Sequence, residues 1–172
     1  MRLFVGTWLP ADVMARVADL PRPDVPGLRW TTADQWHVTL AFLGEVPETD
    51  LTVVEGALAG IAGRLPGRPE VALGPTTTML GRRILCVPVA GLEAAAVEVR
   101  RSVLAAYLRT EVTPFRGHLT LARVRRTVEV PTKLLHVPLR ATWTVDELCL
   151  VSSRLDPRGA RYTTVARATV PS

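Results

Sequence analysis

The chain of 172 residues suits one domain or one compact pair of lobes, and its 48% of hydrophobic residues is enough to form a core. No apolar run approaches the roughly 20 residues that a membrane-spanning helix needs, and the N-terminal stretch MRLFVGTWLP indicates a first strand rather than a signal peptide. The net charge of +5 favours a polyanionic partner, although arginine-rich usage also follows from a GC-rich genome.

The first half of the chain predicts strands and helices in alternation. Alternating apolar residues indicate strands, a period of three to four indicates helices, and the Pro and Gly residues around positions 21–27 interrupt the pattern. The predicted elements are a strand at 2–8, a helix at 11–20, a short strand at 28–32, a strand at 35–43 and a helix over 47–65.

The second half predicts mostly strands around one helix. A loop over 66–75 with room for a short strand precedes a hairpin of strands 77–80 and 83–89, then a helix at 92–109, a strand at 118–124, and closing strands at 139–144, 147–153 and 162–168. This order predicts an α+β fold with an antiparallel sheet, because it lacks strict strand–helix–strand alternation.

Two of the three histidines open the same phrase. His37 begins HVTLAF and His118 begins HLTLAR, 81 residues apart and once in each predicted half. Each copy lies in a predicted strand that follows a helix and a loop. The repeat predicts an internal duplication in which two similar lobes face each other.

Strand alternation predicts which side chains of each copy share a face, because residues i and i+2 point the same way. We expect the cleft face of the first copy to carry His37, Thr39 and Ala41, and that of the second to carry His118, Thr120 and Ala122. The small alanines would leave room for a ligand. The intervening leucines and Phe42 would enter the core, so Phe42 is predicted as a core residue rather than a base-stacking platform.

Two imidazoles and two hydroxyls suit acid–base chemistry at a phosphorus centre. With a reference pKa of about 6.5, one imidazole can be neutral while its twin is protonated. The threonine hydroxyls can donate to phosphate oxygens while one histidine acts at each end of an in-line displacement. The pattern therefore predicts metal-free phosphodiester chemistry.

Metal binding is the alternative for paired histidines. Threonines are poor zinc ligands, and no carboxylate or cysteine repeats beside each histidine, so we expect neither a metal nor a cofactor. His136 lacks the accompanying threonine and is predicted as an ordinary surface or packed residue. Cys86 and Cys149 lie in apolar, strand-like segments and predict buried free thiols, which is typical of a cytoplasmic protein.

Four segments together resemble a known family. RLFVG, WHVTLAFLGEV, FRGHLTLARV and LVSSRLDPRGARYTTVA are similar to the bacterial and archaeal RNA 2′,3′-cyclic phosphodiesterases, also called 2′-5′ RNA ligases, of the 2H phosphoesterase superfamily. The resemblance spans most of the chain, and residues 50–112 carry least of it. Gly117 departs from the family pattern, which has Pro before the second histidine.

The resemblance implies one bilobal domain over residues 1–172, with two antiparallel sheets, outer helices and a central cleft. It implies hydrolysis of an RNA 2′,3′-cyclic phosphate to a 2′-phosphate, with His37 as proton donor to the leaving 3′-oxygen and His118 as proton acceptor from water. Thr39 and Thr120 would hold the phosphate. The residues alone leave the acid and base assignment open, because the two copies are nearly symmetric.

Several arginines are further candidates. The resemblance implies that Arg123 contacts the phosphate or the nucleotide. Strict alternation instead turns Arg123 away from the histidine face unless the strand bends. The alternative role for Arg123 is a surface salt bridge. Arg125 and Arg126 extend the basic stretch, either as a solvated face or as contacts to an RNA backbone. Arg154, Arg158 and Arg161 are weaker candidates for RNA contact. The expected partner is an RNA end with a cyclic phosphate, with no membrane and no obligate protein partner.

Three other functions stay open. The same site run in reverse would be a 2′-5′ RNA ligase, but no ATP-binding signature is present, so hydrolysis should dominate. A phosphodiesterase for small cyclic nucleotides is the second. The third is a non-catalytic RNA-binding module, against which the intact His and Thr of both copies argue.

Overall fold

The computed structural model describes residues 1–107, 114–156 and 159–172. In chain order its elements are β1 (Arg2–Trp8), α1 (Ala11–Ala18), β2 (Leu28–Trp30), β3 (His37–Glu45), α2 (Leu51–Arg64), β4 (Glu70–Leu73), β5 (Thr78–Leu80), β6 (Ile84–Ala90), α3 (Glu93–Tyr107), β7 (His118–Val124), β8 (Ala141–Thr144), β9 (Glu147–Asp156) and β10 (Gly159–Thr169). Single 3₁₀ turns lie at Ala33–Gln35, Glu48–Asp50 and Thr132–Leu134.

The predicted elements are present with small shifts at their ends. The strand predicted at 35–43 begins at His37, because the residues before it form the 3₁₀ turn Ala33–Gln35. The predicted loop over 66–75 contains β4, and the last two strands are longer than expected. Residues 108 and 109 of the third predicted helix lie outside the described residues.

The strands follow one hydrogen-bonded path in the order β10-β9-β1-β3-β7-β6-β4-β8, with β2 added beside β7 and β5 beside β6. The strand pairs of the described residues are antiparallel. The predicted α+β class is thus confirmed, while the two predicted sheets are joined through β3 and β7 into one ten-stranded sheet. Each of these central strands carries one copy of the repeated phrase.

The helices cover the face of the strands opposite the histidines. Helices α2 and α3 pack against β9, β10 and β3, on the side of the strand path that ends at β10. Helix α1 packs against β8, at the opposite end of the path. The main core therefore contains Leu3 and Val5 of β1 together with Val54, Leu58 and Ile61 of α2. On the other face of β1, Phe4 forms a separate small cluster with Cys149 and Val151. This division leaves the face of Phe4 available for a site.

Both cysteines are free and buried, as predicted. Burial raises the pKa of the Cys86 thiol to about 11 and that of the Cys149 thiol to about 12, so both are protonated at neutral pH. Among the described residues, no helix is long and apolar enough to span a membrane.

Candidate active site

The two copies of the repeated phrase meet at one residue pair. Val38 of β3 and Leu119 of β7 are antiparallel partners, and both are fully buried. Continuing this register by one residue in each direction sets His37 opposite Thr120 and Thr39 opposite His118. Since neighbouring residues of a strand point to opposite faces, these four side chains lie together on the face away from the core. The structure thus brings together the two histidines and two threonines that the sequence singled out.

A bulge follows the threonine in each copy. Thr39 pairs with Gly6 and Ala41 with Val5, so Leu40 is an extra residue in β3. Thr120 pairs with Cys86 and Ala122 with Leu85, so Leu121 is an extra residue in β7. An extra residue reverses the alternation beyond it.

The bulges overturn two predictions. Ala41 and Ala122 do not share the histidine face; they are 6% and 0% exposed and belong to the main core. Phe42 is not a core residue: its side chain is 65% exposed and its ring lies 6.0 Å from the ring of Phe4, on the histidine face. Arg123 is likewise exposed on this face, as the expected bend in the strand would place it.

Two glycines beside the repeated phrase lie where two backbones approach each other closely. Gly6 lies opposite Thr39 on β1, where an added Cβ would be 2.6 Å from the carbonyl oxygen of Val38. Gly117 directly precedes the second histidine, and a Cβ at this position would likewise collide with a backbone atom, the carbonyl oxygen of Val89. The departure from Pro at this position therefore matches a close approach of two backbones.

The two imidazoles are held in the same way. Nδ1 of His37 lies 2.7 Å from the carbonyl oxygen of Gln35, and Nδ1 of His118 lies 2.7 Å from that of Arg116. A carbonyl oxygen only accepts hydrogen bonds, so each Nδ1 carries a proton and donates it. Each Nε2 is then left to exchange a proton with a substrate.

Gln35 is a positioning residue that the sequence pattern did not reveal. Its side-chain Nε2 donates to the carbonyl oxygen of Ala160 at 2.7 Å, and its Oε1 accepts from the backbone N–H of Thr32 at 3.2 Å. These bonds fix the 3₁₀ turn whose last carbonyl orients His37. The sequence signal for it was weak, because position 35 fits the alternation of the following strand.

His37 is enclosed by aromatic rings. Its centroid lies 4.7 Å from that of Phe4, 4.8 Å from that of Tyr162 and 5.7 Å from that of Trp8. Burial lowers the pKa of His37 to about 4, and electrostatic interaction with His118 and Arg123 adds to the lowering, while the hydrogen bond to the Gln35 carbonyl opposes it. His37 by itself is therefore neutral at pH 7.

Arg29 is a basic residue of the histidine face that the sequence patterns did not indicate. It lies in the short strand β2 as the direct antiparallel partner of Arg123, and its side chain is exposed. A Cβ added to Gly159 would lie 3.6 Å from Nη1 of Arg29. The guanidinium therefore borders the start of β10, next to the turn that holds His37.

The remaining basic candidates lie elsewhere. Arg125 and Arg126 are exposed just after β7. Arg154 and Arg161 are partners in the β9–β10 hairpin and lie on the face opposite that of Tyr162. This placement does not favour them as residues of the histidine face, and Arg161 forms an ion pair with Asp156. Arg158 lies outside the described residues. His136 is exposed and has a left-handed backbone conformation.

No group of three or more His, Cys, Asp or Glu side chains within the described ranges is placed to hold a metal ion. The donor set around His37 consists of one imidazole, one hydroxyl and aromatic rings, and that around His118 has the same polar groups. These groups suit an anion with several oxygen atoms, because hydroxyls and arginines donate hydrogen bonds.

The sheet and its paired His-x-Thr strands define a phosphoesterase of the two-histidine class. A family model described as LigT-like phosphoesterase matches residues 10–69. An RNA 2′,3′-cyclic phosphodiesterase of Thermus thermophilus is 30% identical over 97% of this chain and 89% of its own length. The chain belongs to the LigT-like phosphoesterase family.

Solved structures agree over the whole chain. A crystal structure of the Thermus thermophilus protein TT0787 superposes with a TM-score of 0.86 at 28% identity and covers 99% of this chain and 98% of that one. Escherichia coli LigT in complex with 3′-AMP superposes with a TM-score of 0.75 at 28% identity and the same coverage.

Proposed function

We propose that this chain hydrolyses a 2′,3′-cyclic phosphate at an RNA end to a 2′-phosphomonoester. The observation that carries the proposal is the convergence of His37, Thr39, His118 and Thr120 on one face through the single pair of Val38 with Leu119. The Thermus thermophilus relative is named for this reaction, and Escherichia coli LigT was crystallised with a nucleotide. The proposal treats residues 1–172 as one bilobal domain with one motif in each half.

The reaction needs two proton transfers on opposite sides of phosphorus. Nε2 of His118 takes a proton from water as its oxygen attacks phosphorus, and the bond from phosphorus to the 3′-oxygen breaks. Nε2 of His37 gives its proton to that leaving oxygen, which becomes the 3′-hydroxyl. Afterwards His118 is protonated and His37 neutral, so exchange with solvent restores the starting state.

The low pKa of His37 constrains its role as the donor. A neutral ring has no proton to give, so the anionic phosphate must first favour its protonated form. With its pKa raised in this way by the bound phosphate, the protonated ring can donate its proton to the developing alkoxide. The hydroxyls of Thr39 and Thr120 donate to the non-bridging oxygens and keep the phosphate between the two rings.

Phe42 adds a surface for the nucleotide. Its exposed ring lies on the face of His37 and beside Phe4. Stacking of a base on an aromatic ring contributes about 1–3 kcal/mol and tolerates any base. The proposal thus places the ribose phosphate at the histidines and the base toward Phe42, in a cytoplasmic enzyme of RNA processing.

The test is hydrolysis of adenosine 2′,3′-cyclic phosphate by the purified protein, followed by phosphorus NMR. The expected product is the 2′-phosphate alone, formed equally well in EDTA. A 3′-phosphate would mean that the acid and base faced the wrong oxygens. Activity that is lost in EDTA and restored by zinc or manganese would replace the proposed mechanism with a metal site.

A further inference from the structure

Two arginines of the cleft face oppose each other directly. Arg29 of β2 and Arg123 of β7 are partners in the antiparallel ladder, so their side chains project from the same face. Their neighbours in the ladder, Leu28 opposite Val124, are buried on the other side. Both arginines are exposed, and the bulge at Leu121 places them on the face of His118 and Thr120.

This arrangement is unfavourable without an anion. Like charges directly opposite each other in a sheet are destabilising. Among the described residues, neither Arg29 nor Arg123 forms an ion pair with an Asp or Glu. Two guanidinium groups on one face can instead share one phosphate, whose oxygens accept paired hydrogen bonds from each planar fork.

The arginine pair lies beyond the position of the reacting phosphorus. Three residues of extended strand span about 10 Å, so the backbone of Arg123 is roughly that far from Thr120, less the shortening at the bulge. The guanidinium of Arg29 borders Gly159 and the side chain of Gln35, at the outer side of the turn that orients His37. A phosphate at the guanidinium of Arg29 is therefore a different group from the one between the histidines, while the charge of Arg123 also acts on His37.

We propose that Arg29 and Arg123 form a second phosphate site, which binds the 5′-phosphodiester of the nucleotide that carries the cyclic phosphate. This inference rests on the proposed function. It makes the end of an RNA chain a better substrate than a nucleoside cyclic phosphate, because only the chain end has a phosphodiester on its 5′ side. Arg29 then acts in binding and distinguishes substrates by length.

The test compares two substrates that differ in one group. One is adenosine 2′,3′-cyclic phosphate, and the other is the same molecule with a methyl phosphodiester at its 5′-oxygen. For the wild-type protein we expect a KM about tenfold lower for the second substrate, in line with a charge-assisted contact. In Arg29→Gln the two KM values should become equal, while the melting temperature stays equal to or slightly above that of the wild type, because the side chain is exposed and its repulsion with Arg123 is removed.

Arg101→Gln is the matched control, since Arg101 is a 77% exposed arginine on α3, and it should keep the tenfold preference. Equal KM values in the wild type, or a preference that survives in Arg29→Gln, would overturn the second phosphate site. The failure of the proposed function has a different signature, because the wild-type protein would then hydrolyse neither substrate.

Discussion

Val38 and Leu119 form the pair through which the two central strands of this fold are joined, and both side chains are fully buried. An antiparallel pair has local two-fold symmetry, so each histidine is set across from the other copy's threonine. The symmetry ends in the second layer around the rings, where Phe4, Trp8 and Tyr162 surround His37. Two similar motifs are thereby given different environments, which is the condition for one acid and one base.

Removing either imidazole should abolish most of the activity. His37→Ala and His118→Ala should each lower kcat on a cyclic phosphate by about a hundredfold or more, and the double variant should lose little beyond the worse single one. Steady-state kinetics measure this, with His136→Ala as the control because that histidine is exposed and lies outside the repeated phrase. Near wild-type turnover in either variant would contradict the two-histidine mechanism.

The threonines should matter for phosphate rather than for folding. Thr39→Val and Thr120→Val keep the shape of the side chain and remove one donor each, so we expect about a tenfold loss or more in kcat/KM. The exposed Thr142 of β8 provides the matched control, Thr142→Val. If the melting temperature falls and the kinetics stay unchanged, the threonines are structural.

The bulge in β7 can be tested, because it buries Ala122, whereas strict strand alternation would place Ala122 on the histidine face. Ala122→Leu should destabilise the fold by about 1–3 kcal/mol, because Ala122 is fully buried and the extra methyl groups have no space. If Ala122 instead faced the cleft, the leucine would block substrate and leave stability unchanged. Denaturant unfolding together with KM distinguishes the two outcomes.

Phe42 provides the corresponding test in β3. Phe42→Ala should leave the melting temperature nearly unchanged, since the ring is 65% exposed. It should raise the KM for a cyclic nucleotide by about tenfold or more through the loss of base stacking. A loss of stability of the size seen for core phenylalanines, about 3–5 kcal/mol, would show that the ring is buried instead.

Acid pH should reveal the unusual environment of His37. Its pKa of about 4 in the folded protein lies below the value of about 6.5 in the unfolded chain. Above pH 6.5 the ring of His37 is neutral in both the folded and the unfolded state, so the free energy of unfolding has its full value. Between pH 6.5 and 4 the unfolded chain takes up a proton before the folded protein does, so the free energy of unfolding decreases as the pH is lowered. His37→Asn should reduce this loss in urea unfolding series across that range.

The same environment should be visible in a single resonance. The chain has three histidines, so the NMR signal of the His37 ring can be assigned as the one that is absent from the spectrum of His37→Asn. Tyr162→Ala removes a ring whose centroid is 4.8 Å from that of His37, and the pKa should rise toward 6.5 as water enters. Tyr162→Phe, which keeps the ring, should retain the low value. A pKa that is unchanged in Tyr162→Ala would show that the aromatic ring does not exclude water from His37.

The sequence by itself determined the element order, the antiparallel class and the four side chains of the candidate site. Its patterns are local: an alternation of period two, helical spacing, and a phrase repeated around two of three histidines. Such patterns can be recognised without knowledge of the neighbouring strands, because each lies within a short stretch of the sequence.

Only the tertiary structure decided what lies beside those four side chains. An extra residue in a ladder exists only relative to a partner strand, so the bulges at Leu40 and Leu121 were invisible in the sequence, and with them the burial of Ala122 and the exposure of Phe42. The pairing of Arg29 with Arg123 brings together residues 94 positions apart. The low pKa of His37 arises largely from enclosure by side chains of distant strands, a property of packing that no short pattern records.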